Sequence, residues 1–451
     1  MLFSHASFLV VFIPPAIVFF GSRWLSQIPV GPIYFYDLVL GIFGLLAILI
    51  GVLARSVFSI RKFLLSLILL VVPIVATVHL LISGFSFASL REFAPFLYLI
   101  YAWFVAILFP LIPLRLVNRG VILVGSSLGL HWLWVALSSL GAYEVLEQEI
   151  GPITLFSKRA DIDTTLVGVF AAVMLLLAFR MGRTSRWRNF FLFGALVVLI
   201  EILLTGTRAG HLASVLAMAS AVLYFAISPE RSRTQKSVAV SATAVVTGTV
   251  LLFPILFGPL SENWQGAVVA VSDRVVQVEE SSMDEPSSPE PSGTAVARMN
   301  SYRQLIEWQF GDPSRLFFGV GFGTGYMMES GALEKLLGSA ARDRAMEGIG
   351  PHNFLLFVAA TMGLTGTLIF ITVLAFGFMG AVRAFRRGVG IIYPLAFGVF
   401  AGVLTASLFG VVFEAPHGAI PLAWAWGIIF TGNYRTSDAE IPANNRRARR
   451  T

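Results

Sequence analysis

"PHNFLLFVAATMGLTGTLIFITVLAFGF", Pro351 to Phe378, contains no Lys, Arg, Asp or Glu. About 20 mainly apolar residues suffice to cross the ~30 Å hydrocarbon core of a bilayer as a helix. In lipid the backbone must satisfy its own hydrogen bonds, so such a run is helical. Working outward, similar runs follow at 390–411 and 418–432 and precede at 8–20, 35–54, 63–83, 93–112, 120–141, 164–180, 189–205, 209–228 and 237–259. The composition agrees: 57% of residues are hydrophobic and 13% charged, against about 25% charged in a soluble domain. The reading is an all-α, polytopic integral membrane protein with about twelve transmembrane helices.

Basic residues orient such a chain, because loops on the cytoplasmic side are enriched in Lys and Arg. One set of short connections holds Arg55, Arg61 and Lys62; Arg115 and Arg119; Arg180, Arg183, Arg186 and Arg188. The same set continues with Arg231, Arg233 and Lys236; Arg383, Arg386 and Arg387; and a basic tail from Arg435 to Arg450. The alternate short connections hold only Arg23, Arg91, Lys158, Arg159 and Arg208. Both termini are therefore expected in the cytoplasm. The first run, "FLVVFIPPAIVFFG" (8–21), is broken by Pro14 and Pro15 and lacks a basic flank. It reads as a kinked first span rather than a cleaved leader.

The division expected along the chain is nine spans over 1–259, a long hydrophilic loop on the non-cytoplasmic side at 260–351, three spans over 352–432, and a tail at 433–451. The loop opens with "VEESSMDEPSSPEPSG" (278–293), acidic and Pro/Ser-rich, the composition of a flexible insert. "ARMNSYRQLIEWQFGDPSRLFFGVGFGTGY" (297–326) then predicts an amphipathic helix at about 296–310, a turn at Gly311-Asp312-Pro313 and a glycine run. A second non-cytoplasmic loop, 142–163, carries Glu144, Glu147, Glu149, Asp161 and Asp163.

The net charge of +7 does not indicate nucleic acid, since the basic residues lie in inter-helix loops rather than on one folded face. The absence of cysteine excludes disulfides, thiolate catalysis and thiolate metal sites. "GVGFGTG" (319–325) fails the dinucleotide spacing, with Thr324 where glycine is needed and no βαβ unit around it. A turn returning the loop to the membrane is the better reading.

"LLTGTRAGHLAS" (203–214) places Arg208 where the eighth span begins. A helix N-terminus offers unpaired N–H groups and partial positive charge, which suits phosphate. Thr205 or Thr207 is available as cap, Gly206 and Gly210 allow close approach, and His211 lies one turn further in. An arginine that snorkels at a helix end is the plainer alternative. Pro351 suits a helix start, and His352 beside Asn353 is either structural or a general base at the membrane surface. In the loop helix Arg298 and Arg303 lie about 140° apart around the axis. Arg298 shares a face with Tyr302 and Leu305, Arg303 with Met299 and Ile306, so one of the two is structural. Glu201, Glu414 and His417 are further polar residues near the membrane, each equally suited to a helix–helix hydrogen bond.

Taken in order, these segments resemble the O-antigen ligase and O-antigen polymerase superfamily of bacterial envelope proteins, whose architecture is GT-C-like. "LLTGTRAGHLA" resembles that family's Thr-Gly-Ser-Arg segment. "RMNSYRQLIEWQFGDPSRLFFGVGFGTGY" resembles its loop helix and the turn after it, and "GPHNFLLFVAATMGLTG" its His-Asn span opener. The resemblance covers about residues 160–411. Tyr302 stands where the family usually has Trp and Thr207 where it often has Ser; the 278–293 insert departs from the pattern. The resemblance implies transfer of a glycan from undecaprenyl pyrophosphate to a glycan or lipid A-core acceptor, by inversion, at the periplasmic face of the inner membrane. It implies no cofactor and no metal. It assigns Arg208 and Arg298 to the pyrophosphate and His352 to the acceptor proton. Arg303, His211, Tyr302 and Asn353 are further substrate-binding candidates. Membrane lipids surround the protein, and a chain-length regulator is a partner if it polymerises.

Two other classes compete. A secondary transporter has as many spans but places its charges near the midplane within repeated halves, whereas the polar residues here gather at one membrane surface. A flippase for the same lipid needs cations recurring inside several spans, and the sequence lacks them.

Overall fold

The computed structural model describes residues 2–26, 28–30, 33–53, 59–138, 149–150, 153–154, 160–181, 185–205, 208–229, 295–337, 350–351, 353–388, 390–410 and 412–434. The ninth expected span (237–259), the acidic insert, Gly206, Thr207, Glu144, Glu147 and His352 lie outside them, as does the tail from Arg435 on. Of Arg208 the backbone alone is described.

The described chain is helical apart from two ribbons of two-residue strands, Pro29–Val30 with Ile33–Tyr34 and Glu149–Ile150 with Ile153–Thr154. The first half contributes α1 (Leu2–Ser26), α2 (Phe35–Leu53), α3 (Ile60–Ser66), α4 (Val71–Ser83), α5 (Phe87–Leu108) and α6 (Leu114–Leu137). Next come α7 (Ala160–Arg180), α8 (Arg186–Thr205) and α9 (Arg208–Ile227). The loop supplies α10 (Ala295–Phe310), α11 (Pro313–Phe318), α12 (Tyr326–Glu329) and α13 (Ala332–Leu337). The chain closes with α14 (Phe354–Arg387), α15 (Ile392–Phe409) and α16 (Pro416–Phe430). A 3-10 turn joins α3 to α4, so these two form one continuous rod.

Among the described residues nine helices are long and apolar enough to cross a membrane, and the protein is a polytopic membrane protein. Helices α8 and α16 stand where the seventh and twelfth spans were expected. α16 has only 15 residues, and every residue from His417 to Phe430 is buried. It is the central post of the bundle, packed against α1, α5, α14 and α15.

Local chemistry sets the helix ends. Ser86 and Ser89 form a reciprocal capping box at the start of α5. Gly388, with φ 67°, ends α14 in the left-handed conformation behind Arg386 and Arg387. Two helices are broken internally. α1 passes through Pro14 and Pro15 and is non-helical at Ser22 (φ 41°, ψ −127°), so the kink lies nearer the helix end than the prolines suggest. α14 is non-helical at Gly363 (φ 67°, ψ −173°).

Small residues let the helices approach, as is usual in membranes. Gly398 of α15 faces Ala217 and Ser220 of α9, and Gly402 faces Ala213 and Ala217. The two helices are therefore antiparallel. Extending that register brings Phe409, the last residue of α15, level with Arg208, the first of α9.

Candidate functional site

The break in α14 organises one end of the bundle. Interrupting a helix leaves the carbonyls of the preceding turn without their amides. The loop meets three of them: Gln309 donates from Nε2 to the Ala359 carbonyl. Val320 and Gly321 donate their N–H groups to the Ala360 and Thr361 carbonyls, each at 2.9 Å. Gly319 (φ 71°) and Gly363 lie backbone to backbone; a Cβ on Gly319 would fall 2.5 Å from the Gly363 nitrogen, and one on Gly363 2.4 Å from the Phe317 carbonyl. Only glycine fits either place.

The rest of the glycine run reaches the first half of the chain. Phe322 N–H donates to Ser83 Oγ at 3.0 Å and Gly323 N–H to Glu92 Oε2 at 2.7 Å. The Phe322 ring is buried among Phe93 and Phe96. Tyr326 lies buried behind the run; burial, with the nearby Glu92 and Glu414 carboxylates, pushes its phenol well above the usual tyrosine range. The run is a turn that seats the loop on the bundle.

That seating orients α10. Its inner face, Ala297, Ser301, Leu305 and Gln309, is buried, and Gln304 Nε2 donates to the Ser330 carbonyl at 2.9 Å. Arg298 donates from Nη1 to the Phe409 carbonyl at 3.3 Å, at the C-terminus of α15, where the helix dipole favours a cation. By the α9–α15 register this is also the level at which α9 begins, so the bonded end of α15 and the Arg208 backbone stand at one height in the bundle. Tyr302 lies beside Arg298; burial raises its phenol and the guanidinium draws it back. Arg303 points away and is exposed, paired with Glu307 at 2.7 Å. The two loop arginines thus divide as the helical wheel requires.

Other candidates have structural duties. Asn353 caps α14, its Oδ1 accepting from Leu356 N–H at 3.1 Å, so the helix starts at Phe354, past Pro351. His211 Nε2 bonds the Ile202 carbonyl at 2.6 Å, latching α8 to α9; the carbonyl accepts, so Nε2 carries the hydrogen.

A buried polar network at the same end joins Asp163 and His417 to residues that the sequence did not single out, Ser22, Ser26, Tyr36 and His131. Asp163, expected in an acidic loop, sits in the first turn of α7 and is 1% exposed. Its Oδ1 accepts from Ser22 Oγ at 2.6 Å and lies 3.5 Å from Nε2 of His131, which is fully buried. Tyr36 OH donates to the Ser22 carbonyl at 2.8 Å, occupying a group freed by the kink in α1. Four residues later, Ser26 Oγ donates to the Arg23 carbonyl and stands 3.2 Å from Nδ1 of buried His417. With the hydroxyl proton committed to Arg23, Nδ1 carries the hydrogen of that contact. The signal for Asp163 was its neighbour, the unbroken "TTLVGVFAAVMLLLAF" run, which marks a span's first turn. A lone His131 on an apolar helix gave none.

Comparison with protein-family models and with characterised proteins finds no match to this chain.

Proposed function

We propose that this protein transfers a glycan from a polyprenyl pyrophosphate carrier to an acceptor hydroxyl, working at the membrane surface where its loop is seated. In this reading the surface is the periplasmic face of a bacterial inner membrane, with about twelve spans and both termini in the cytoplasm. The observation that carries it is the bond from Arg298 to the end of α15, which the α9–α15 register puts level with the start of α9. A cationic guanidinium and the positive end of a 20-residue helix at a lipid boundary suit a leaving pyrophosphate that arrives sideways from the bilayer. Arg208 and Arg298 grip the pyrophosphate, Tyr302 donates beside Arg298, and His352, one residue before the cap of α14, takes the acceptor proton. Direct inverting displacement requires no covalent intermediate. The acceptor is lipid A-core in a ligase or a growing glycan in a polymerase; the same donor site serves both.

The test uses purified full-length protein in detergent, a lipid-pyrophosphate-linked glycan, and acceptor. Arg298→Ala should lose both donor retention and product, His352→Ala product alone, and Arg303→Ala neither. Normal turnover by Arg208→Ala and Arg298→Ala together would remove the pyrophosphate site and the proposal with it.

A further inference from the structure

We infer that α10 and α11 lie in the bilayer interface, with Phe310, Phe317 and Phe318 inserted among the lipid acyl chains of the leaflet on the loop side. Depth is set by α14. Its far end is marked by Arg383, Arg386 and Arg387. Counting back from Arg383 by about 20 residues, or ~30 Å at 1.5 Å per residue, arrives at Gly363. The break therefore stands at the opposite boundary of the hydrocarbon core. Just inside it Leu364, Leu368 and Ile371 are 40, 55 and 45% exposed, an apolar flank that lipid covers. The loop is fastened to this point through Gly319 and the Phe317 carbonyl, so Phe317 and Phe318, 49 and 62% exposed, share that depth. Their exposed rings stand beside the backbone contact that joins the loop to α14.

α10 extends the same surface. Met299, Ile306 and Phe310 fall within about 40° of one another around the helix, and 66, 40 and 67% of each is exposed. The opposite face is the buried one, packed chiefly against α13 and tied to α14 through Gln309. Arg303 lies within the stripe, its charge paired with Glu307, where a long aliphatic stem lets the guanidinium reach the headgroups. With this stripe on one side and the opposite face covered by protein, α10 is placed along the interface plane. α11 is held to it by Arg315, stacked 4.4 Å over Trp308. This inference does not depend on the transfer activity.

The chain has no cysteine, so each introduced cysteine is a unique label site. Full-length protein carrying Phe310→Cys, Phe317→Cys or Phe318→Cys would be nitroxide-labelled in phosphatidylethanolamine/phosphatidylglycerol nanodiscs. Glu334→Cys, at an exposed charged position of α13, is the aqueous reference. The ratio of oxygen to nickel-chelate accessibility should be severalfold higher at 310, 317 and 318 than at 334. Met299→Cys and Ile306→Cys, at exposed positions, repeat the measurement if a phenylalanine variant fails to insert. Nickel-dominated collisions along the stripe would overturn the inference. So would labels reached by neither reagent, which would assign the face to a second copy or another protein.

Discussion

Arg298 and Arg303 stand five residues apart on α10, yet one is bonded to the carbonyl end of a spanning helix and the other points away. Arg298→Lys should restore little of the transfer lost in Arg298→Ala, because an ammonium lacks the planar, two-pronged grip of guanidinium on phosphate; product formation by the two variants settles this. Tyr302, its phenol raised by burial and drawn back by Arg298, stays protonated between about pH 6 and 9, below the usual tyrosine value near 10. Tyr302→Phe should therefore lower transfer without changing the shape of its pH profile, and a profile shifted in that window would contradict the role of donor. Asn353 separates capping from substrate contact. Asp caps as well as Asn, whereas Ala costs about 1 kcal/mol. Asn353→Asp should match the parent in thermal stability, and it should lose transfer only if the side chain also faces the pyrophosphate. At this scale the wheel geometry of α10 was legible in the sequence, because 3.6 residues per turn fixes it. His131 and Ser22 were not legible, because their partners come from other helices and no spacing along the chain connects them.

The element that decides whether the loop is seated is the broken helix α14. A side chain at Gly363 or Gly319 meets backbone within 2.5 Å, and positive φ with extended ψ costs a non-glycine residue about 1–3 kcal/mol besides. Gly363→Ala and Gly319→Ala should leave the spans inserted while exposing 313–325 to protease and abolishing transfer. Gly325→Ala, which also has positive φ but whose Cβ meets nothing, should be milder; equal sensitivity of all three would assign the effect to strain alone. Glu92→Gln keeps an oxygen for Gly323 N–H and should hold the loop where Glu92→Leu releases it, read by the same proteolysis. The nine spans among the described residues were readable, because lipid permits little besides apolar helix. The break was not: Gly363 looks like any small residue in a span, and its meaning depends on a loop more than forty residues away supplying the missing donors.

For the whole molecule, the distribution of Lys and Arg fixes the expected topology. Reporters fused at Arg233 and Ser292 should give cytoplasmic and non-cytoplasmic signals respectively; a cytoplasmic signal at Ser292 would defeat both the topology and the proposed site. Removing 280–292 should leave membrane levels and transfer intact, since acidic, Pro- and Ser-rich sequence cannot bury a core. The clamp between the glycine run and the early spans also has a consequence for how the chain is made. Gly323 and its acceptor Glu92 are 231 residues apart. A ribosome adding about 5–20 residues per second needs roughly ten seconds to most of a minute to make that stretch. Through that interval Glu92 has emerged without the backbone amide it will bind. The order of synthesis therefore leaves a carboxylate waiting at the edge of an unfinished bundle, and the last spans close it only when the loop has arrived.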